Sequence, residues 1–328
     1  MKNPSTDSPP NAVLKLFGNA LSAGAIWPAV IGLYIVSGLI SPGMFQFAQI
    51  LNVFQVAAFL GVVATGQTLA LLLGGIDLSV AGVVTLTNIL VTSRMSGRAE
   101  NAPLAVAVCL LAAAAVGFLN GLFIAGLGIT PLVATLGMNS VLFGVALVYT
   151  GGAPHGSVAA QFGIFGQGYI GGIPVSAVCW LAITFAVAWL LKCTTFGRSV
   201  YSTGANPVAA HLMGVPVART IIISYTLVSL LAALGGLLLT SYIGSPSLGI
   251  GDQFLLTSVA AVVVGGTALS GGAGTVLATI GGTLFITELN SFTNIIRVST
   301  GTQFILQGAV IAVSVLLYRA LARQPAVA

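Results

Sequence analysis

The sequence predicts an all-α fold, a polytopic membrane bundle of about ten transmembrane helices with both termini cytoplasmic. Three observations carry that expectation. Charge is scarce: ten Lys and Arg and five Asp and Glu in 328 residues, with 57% of the chain hydrophobic, whereas soluble domains are about a quarter charged. Residues 101–191 and 220–251 hold no charged side chain, which leaves too little polarity to clothe a soluble surface. Apolar runs also recur at the ~20-residue length that a spanning helix needs.

Taken in order, the runs and their Gly, Pro and polar breaks give spans at 21–40, 48–73, 78–93, 103–127, 131–150, 174–191, 220–243, 253–270, 274–291 and 302–319. The second is long and the third short, so that pair is read as broken or tilted. In the fourth, Gly117, Gly121 and Ala125 form a small-xxx-small ladder that brings backbones together. Residues 1–19 are polar and proline-marked, lack the pattern of a signal peptide and read as a cytoplasmic tail. Residues 321–328 form the opposite tail.

Counting Lys and Arg by side sets the orientation. With the N-terminus inside, Lys2, Lys15, Lys192, Arg198, Arg219, Arg319 and Arg323 are cytoplasmic, against Arg94, Arg98 and Arg297 outside. The net charge of +5 is then a topological signal, and no basic, aromatic stripe points to nucleic acid. Cys109, Cys179 and Cys193 show neither disulfide nor metal spacing. The lysines are Lys2, Lys15 and Lys192, and none opens the Lys-Ser/Thr step of a phosphate-binding loop. His155 and His211 fall in loops on opposite sides, which disfavours a triad or zinc site. The chain reads as no enzyme, with no cofactor of its own.

Two loops stand apart. The outer one, 151–173, is long, uncharged and glycine-rich, and reads equally as a docking surface or a slack connection. The inner one, 192–219, carries a predicted short helix: Asn206 as N-cap, Pro207 in the first turn, Gly214 and Pro216 as the stop. Val208, Leu212 and Val215 give it an apolar face, which suits either lipid headgroups or a groove on another protein.

The blocks "GGIDLSV" (74–80), "TGANPVAAHLMGVPV" (203–217) and "AAVVVGGTALSGGAGTVLATIGG" (260–282) resemble the permease subunits of ribose-type ABC importers, in the branched-chain amino acid and ribose permease superfamily. The resemblance runs from about residue 45 to 320. It implies that 20–320 is a permease domain and 192–219 its cytoplasmic coupling loop, with Gly204, Asn206, Ala209, Leu212 and Gly214 at matching coupling positions. Pro207, His211 and Met213 belong to the same stretch. An acid is common at the position of Pro207 and a serine usual at that of Met213, differences that bear on which ATPase fits. The resemblance further implies a bacterial inner-membrane location and a second permease copy, identical or related. A periplasmic sugar-binding protein and a separate ATPase that carries the ATP and Mg complete the expected assembly.

Asp77 is the one charge between Lys15 and Arg94. It reads as a cap for a helix starting at Leu78, aided by Ser79, with Gly74 and Gly75 permitting the break. Substrate contact and proton coupling are the other readings. Further pathway candidates are Asn88, Asn120, Asn139, Asn290 and Asn294. Asn52, Gln55, Gln67, Glu288 and Gln303 inside spans are candidates too, each also able merely to bond a neighbouring helix, with Glu288 near an outer end where it can snorkel. The echo between "GGIDLS" and "GGTALS" (265–270) is set aside, since both copies fall on the cytoplasmic side, where an inverted repeat does not explain it, and so much glycine makes coincidence easy. The expected function is import of a neutral, ribose-like sugar or polyol, and the rival is a proton-coupled secondary transporter using Asp77 and Glu288.

Overall fold

The computed structural model describes residues 26–299, 301–303, 305–310 and 312–313. Both expected tails lie outside the described residues, as do 21–25 of the first expected span and 314–319 of the last. The helices are α1 (Ile26–Ile40), α2 (Phe47–Leu72), α3 (Val80–Met95), α4 (Ala102–Leu127), α5 (Pro131–Thr150), α6 (Ile164–Gln167), α7 (Val175–Cys193), α8 (Thr195–Ala205), α9 (Pro207–Leu212), α10 (Val217–Ile243), α11 (Asp252–Val264) and α12 (Val276–Ile295). Residues 301–303, 305–310 and 312–313 are helical as well. Five of the helical stretches are long and apolar enough to cross a membrane: Phe47–Leu72, Ala99–Leu127, Pro131–Thr150, Val175–Cys193 and Val217–Ile243.

The ends follow local chemistry. Prolines open α5, α9 and, through Pro103, α4, where a missing N–H and a fixed φ suit the first turn. Left-handed glycines close α4 at Gly128, α5 at Gly151 and α10 at Gly244. The centre of the bundle is α10 with α2, α3 and α4 around it. There Gly117 and Gly121 of α4 face the α10 backbone at Tyr225, Thr226 and Ile222 so closely that a Cβ would overlap it. Two members of the predicted small-residue ladder therefore do what such ladders do in membranes.

Two helices are short because the chain re-enters the bundle before each. α3 starts inside, with every residue from Val80 to Ile89 buried. α11 follows the segment 244–251, which lies against α3: Gly251 N donates to Thr85 Oγ1 at 3.0 Å and Ser247 N to Asn88 Oδ1 at 2.8 Å. Asn88 also donates to Thr240 Oγ1 and the Ser245 carbonyl. Backbone away from helices is tolerated at such depth only when protein satisfies it, and Asn88 and Thr85 satisfy it here. α11 stops at Val264 instead of continuing to the expected residue 270. The run Gly265, Gly266, Gly271, Gly272, Gly274 explains the difference, since each interior glycine costs a helix about 1 kcal/mol.

The loop 151–173 packs closely against its neighbours. Gln55 Nε2 donates to the Gly166 carbonyl at 2.7 Å, Gly166 N to Ser241 Oγ at 2.9 Å, and Tyr169 Oη to Gln55 Oε1 at 3.0 Å. A small antiparallel hairpin, β1 (Tyr169–Ile170) with β2 (Ile173–Pro174), then leads into α7. The slack-connection reading is thereby corrected: α2 and α10 hold this loop by side-chain to backbone bonds.

Candidate functional site: a broken helix, a capped surface helix and an amide-lined cavity

After Leu72 the chain turns through Gly74, whose φ of +78° favours glycine, and reaches α3 by residues 75–79. Several polar groups of that stretch meet a side chain from a helix. With its amide oriented to match, Gln67 donates to the Asp77 carbonyl at 3.0 Å and accepts from Asp77 N at 3.2 Å. Thr135 Oγ1 accepts from Leu78 N at 3.0 Å and lies 3.2 Å from the Ile76 carbonyl. Asn120 Nδ2 donates to Ser79 Oγ at 2.9 Å.

Asp77 is fully buried. Its Oδ1 accepts from Ser79 N at 2.8 Å and Ser79 Oγ at 2.6 Å, an Asx turn that holds the residue just before the helix. This corrects the expected cap: the helix starts at Val80, two residues later than expected, and the carboxylate receives the Ser79 amide and none from the first helical turn. Its carboxyl group still lies beside the positive end of α3. Asp252, which is exposed, is the first residue of α11. Around Asp77, three buried atoms have no partner among the described residues: Asp77 Oδ2, Asn120 Oδ1 and Tyr225 Oη.

At one end of the bundle, α8 leads into α9. Thr194 caps α8, accepting from Gly197 N, and Asn206 caps α9, accepting from Ala209 N at 3.0 Å. Pro207 is the first helical residue, and Gly214 turns the chain away at φ +82°. Val208, Leu212 and Met213 are 69%, 82% and 86% exposed, and Ala209 and His211 are exposed as well. Gly204, at the close of α8, is buried and touches backbone. A Cβ there would overlap the Leu72 carbonyl oxygen and come within 2.8 Å of Gly272 N. The same Leu72 oxygen accepts from Gly272 N at 2.9 Å, and a Cβ on Gly74 would lie 3.3 Å from the Ser270 carbonyl. The two echoing blocks therefore meet, with the start of the α9 turn beside them.

Towards the opposite end lies a cavity of about 620 Å³. It is walled by α2, α10, α11, α12 and the helical residues after 300. Gln49 and Asn52, Asn290 and Asn294, and Gln303 and Gln307 line it, and no described lining residue is charged.

The predicted pathway residues thus divide. Gly74, Gly75, Asp77, Ser79 and Asn120 gather at the break. Asn88 clamps 244–251, Asn139 lies beside Gly82 of α3, and Asn52, Asn290, Asn294 and Gln303 reach the cavity. Glu288 is buried and accepts from Ser37 Oγ at 2.8 Å, so it binds α1 and does not snorkel. Gln67 and Gln303 carried a signal as polar residues within apolar runs. Thr135, Tyr225 and Gln49 carried none, since hydroxyls and residues near helix ends are ordinary in such sequences.

A bundle of apolar helices with re-entrant segments inside and an uncharged polar cavity defines a multi-pass membrane transport protein. The chain belongs to the family described as branched-chain amino acid transport system, permease component, which matches residues 49–315. It is 38% identical over 290 residues to the ribose import permease protein RbsC of Bacillus subtilis, covering 88% of this chain and 89% of that one. It is 36% identical to the Escherichia coli K12 protein of the same name, covering 88% and 91%. The galactose/methyl galactoside import permease protein MglC of Escherichia coli is 30% identical, covering 92% and 96%. No solved structure matches the chain.

Proposed function

We propose that this chain is the membrane-spanning subunit of an ABC importer for a neutral sugar or polyol of the ribose kind, with ten spans and both termini in the cytoplasm of a bacterial inner membrane. Two copies, identical or related, pair around the pathway, a periplasmic binding protein delivers the solute, and a separate ATPase holds ATP and Mg. The observation that carries the reading is α9. A six-residue helix capped at both ends, with Val208, Leu212 and Met213 turned out, suits insertion of an apolar ridge into a groove on the ATPase. Its root, Gly204, touches Leu72 and the 265–275 loop, so displacement of α9 reaches α2 and the α11–α12 connection. Sugar specificity is supported by the relatives' names and by the uncharged cavity.

The test is purification of the tagged chain from native membranes in mild detergent, with partners identified by mass spectrometry. An ATPase at equal stoichiometry is expected, and the permease bands give the composition of the pair. Recovery of the chain alone across several detergents, with uptake that follows the proton gradient, would sink the reading in favour of a secondary transporter.

A further inference from the structure

The cavity carries more than its shape. Its polar groups are arranged as paired rungs on two helical segments. Gln307 Nε2 donates to Asn290 Oδ1 at 2.8 Å, and Gln303 Nε2 donates to Asn294 Oδ1 at 2.8 Å. Beside them Gln49 Nε2 donates to Ser291 Oγ at 2.9 Å. Residues 290 and 294, like 303 and 307, are four apart, so the rungs stand about one helical turn, roughly 6 Å, from each other.

A carboxamide offers donors and an acceptor together, the same combination that a sugar hydroxyl presents. Each Asn–Gln rung joins a Gln donor to an Asn acceptor, with Gln303 Nε2 also donating to the Val298 carbonyl at 3.1 Å, and leaves the Asn Nδ2 and Gln Oε1 for a ligand. The remaining wall is apolar and aromatic: Phe59 and Tyr242 pack with ring centres 5.2 Å apart, and Phe254 joins them in the lining. A sugar ring has this two-sided character, hydroxyls at its rim and C–H groups on its face. The volume falls within the ~300–1,000 Å³ of ordinary ligand pockets. The absence of charge among the described lining residues gives an anion or cation nothing to pair with.

We propose that Asn290, Asn294, Gln303 and Gln307 form a solute-binding site within the single chain, for a neutral polyhydroxylated ring. On binding, the two glutamines exchange their bonds to Asn294 and Asn290 for hydroxyls of the solute. The permease thereby holds the solute itself and selects by hydroxyl pattern and by lack of charge. The class of solute rests on the importer reading; the location of the site does not.

Saturation-transfer NMR on the chain co-purified with its ATPase in nanodiscs tests this, with D-ribose, D-galactose and anionic D-gluconate as probes at millimolar concentration. At least one neutral sugar should show transfer to its ring protons, and gluconate none. Asn290→Leu removes one member of a rung and should weaken binding about tenfold, the worth of one or two hydrogen bonds. Gln307→Glu keeps the shape and exchanges the donor for charge, so it reports even where Asn290→Leu fails to fold. Ser140→Leu, on the exposed face of α5, should bind as the unaltered chain does. Equal transfer in both site variants, or none from either sugar on an intact complex, overturns the proposal. If no ATPase co-purifies, the importer reading fails separately, and the same spectra on the chain alone still decide the site.

Discussion

Gly204 and Leu72 meet backbone to backbone: a Cβ on Gly204 would overlap the Leu72 carbonyl oxygen, an oxygen already bonded to Gly272 N. Three separate parts of the chain touch at this point with no side chain between them. A side-chain contact yields by changing rotamer, whereas this one yields only if the backbone moves.

Gly204→Ala should therefore force the end of α8 away from α2, at about 1–3 kcal/mol, the usual range for overpacking. Thermal unfolding of the solubilised protein should show the loss, and solute uptake should fall more than ATPase binding does. Gly144→Ala, where a Cβ meets open space, should leave both unchanged.

Asp77→Asn should retain most activity, because an amide oxygen accepts from Ser79 N and Oγ as the carboxylate does. Asp77→Ala leaves both donors buried without that acceptor, at about 1–3 kcal/mol for each unsatisfied group. Expression, unfolding temperature and uptake compared across the pair check this. Loss of uptake in a well-folded Asp77→Asn would instead require the charge.

Gln67→Leu removes the bridge to both backbone groups of Asp77 and puts an apolar side chain of similar size in its place. The same range, about 1–3 kcal/mol per group, applies at two groups, so this substitution should destabilise the chain more than Asp77→Asn. Thermal unfolding of the two variants side by side reads the order.

Leu212→Glu and Met213→Glu alter side chains that are 82% and 86% exposed, so the chain alone should unfold at an unchanged temperature. Co-purification of the ATPase should drop at least severalfold, since a buried interface position does not accept an unpaired charge. Gly214→Val should act in the same direction for a different reason, because φ +82° strains any branched residue.

Much of this architecture is written in the order of the residues. Five of the expected spans coincide with helices long and apolar enough to cross a membrane, because runs such as 103–127 are long, apolar and punctuated by Gly and Pro, all local features. α9 was legible for the same reason, its Asn206, Pro207 and Gly214 being capping chemistry within nine positions. The break at 74–79 was legible as a break, but its staples were not. Gln67, Asn120 and Thr135 come from three helices, and nothing near them in the chain says which polar residue turns towards Asp77. The cavity was least legible, since its pairs join α12 to residues 303 and 307 across a turn. A Gln or Asn in an apolar run reads alike whether it faces a neighbour or a space. Asp77 itself was placed correctly beside the start of α3 and wrongly as its cap, because an Asx turn and an N-cap use the same residue types.

The uncharged lining of the cavity has an electrical consequence. Carrying one elementary charge through the full membrane potential involves about 2.3 kcal/mol per 100 mV. A neutral solute lining up against Asn and Gln amides carries none, and the two buried acids, Asp77 and Glu288, are each tied by hydrogen bonds to a neighbouring hydroxyl. A conformational cycle in which neither acid changes its depth or its protonation moves no net charge through the field. On the proposed importer reading, uptake should run at the same rate in polarised and depolarised membranes, with the partner ATPase supplying the drive.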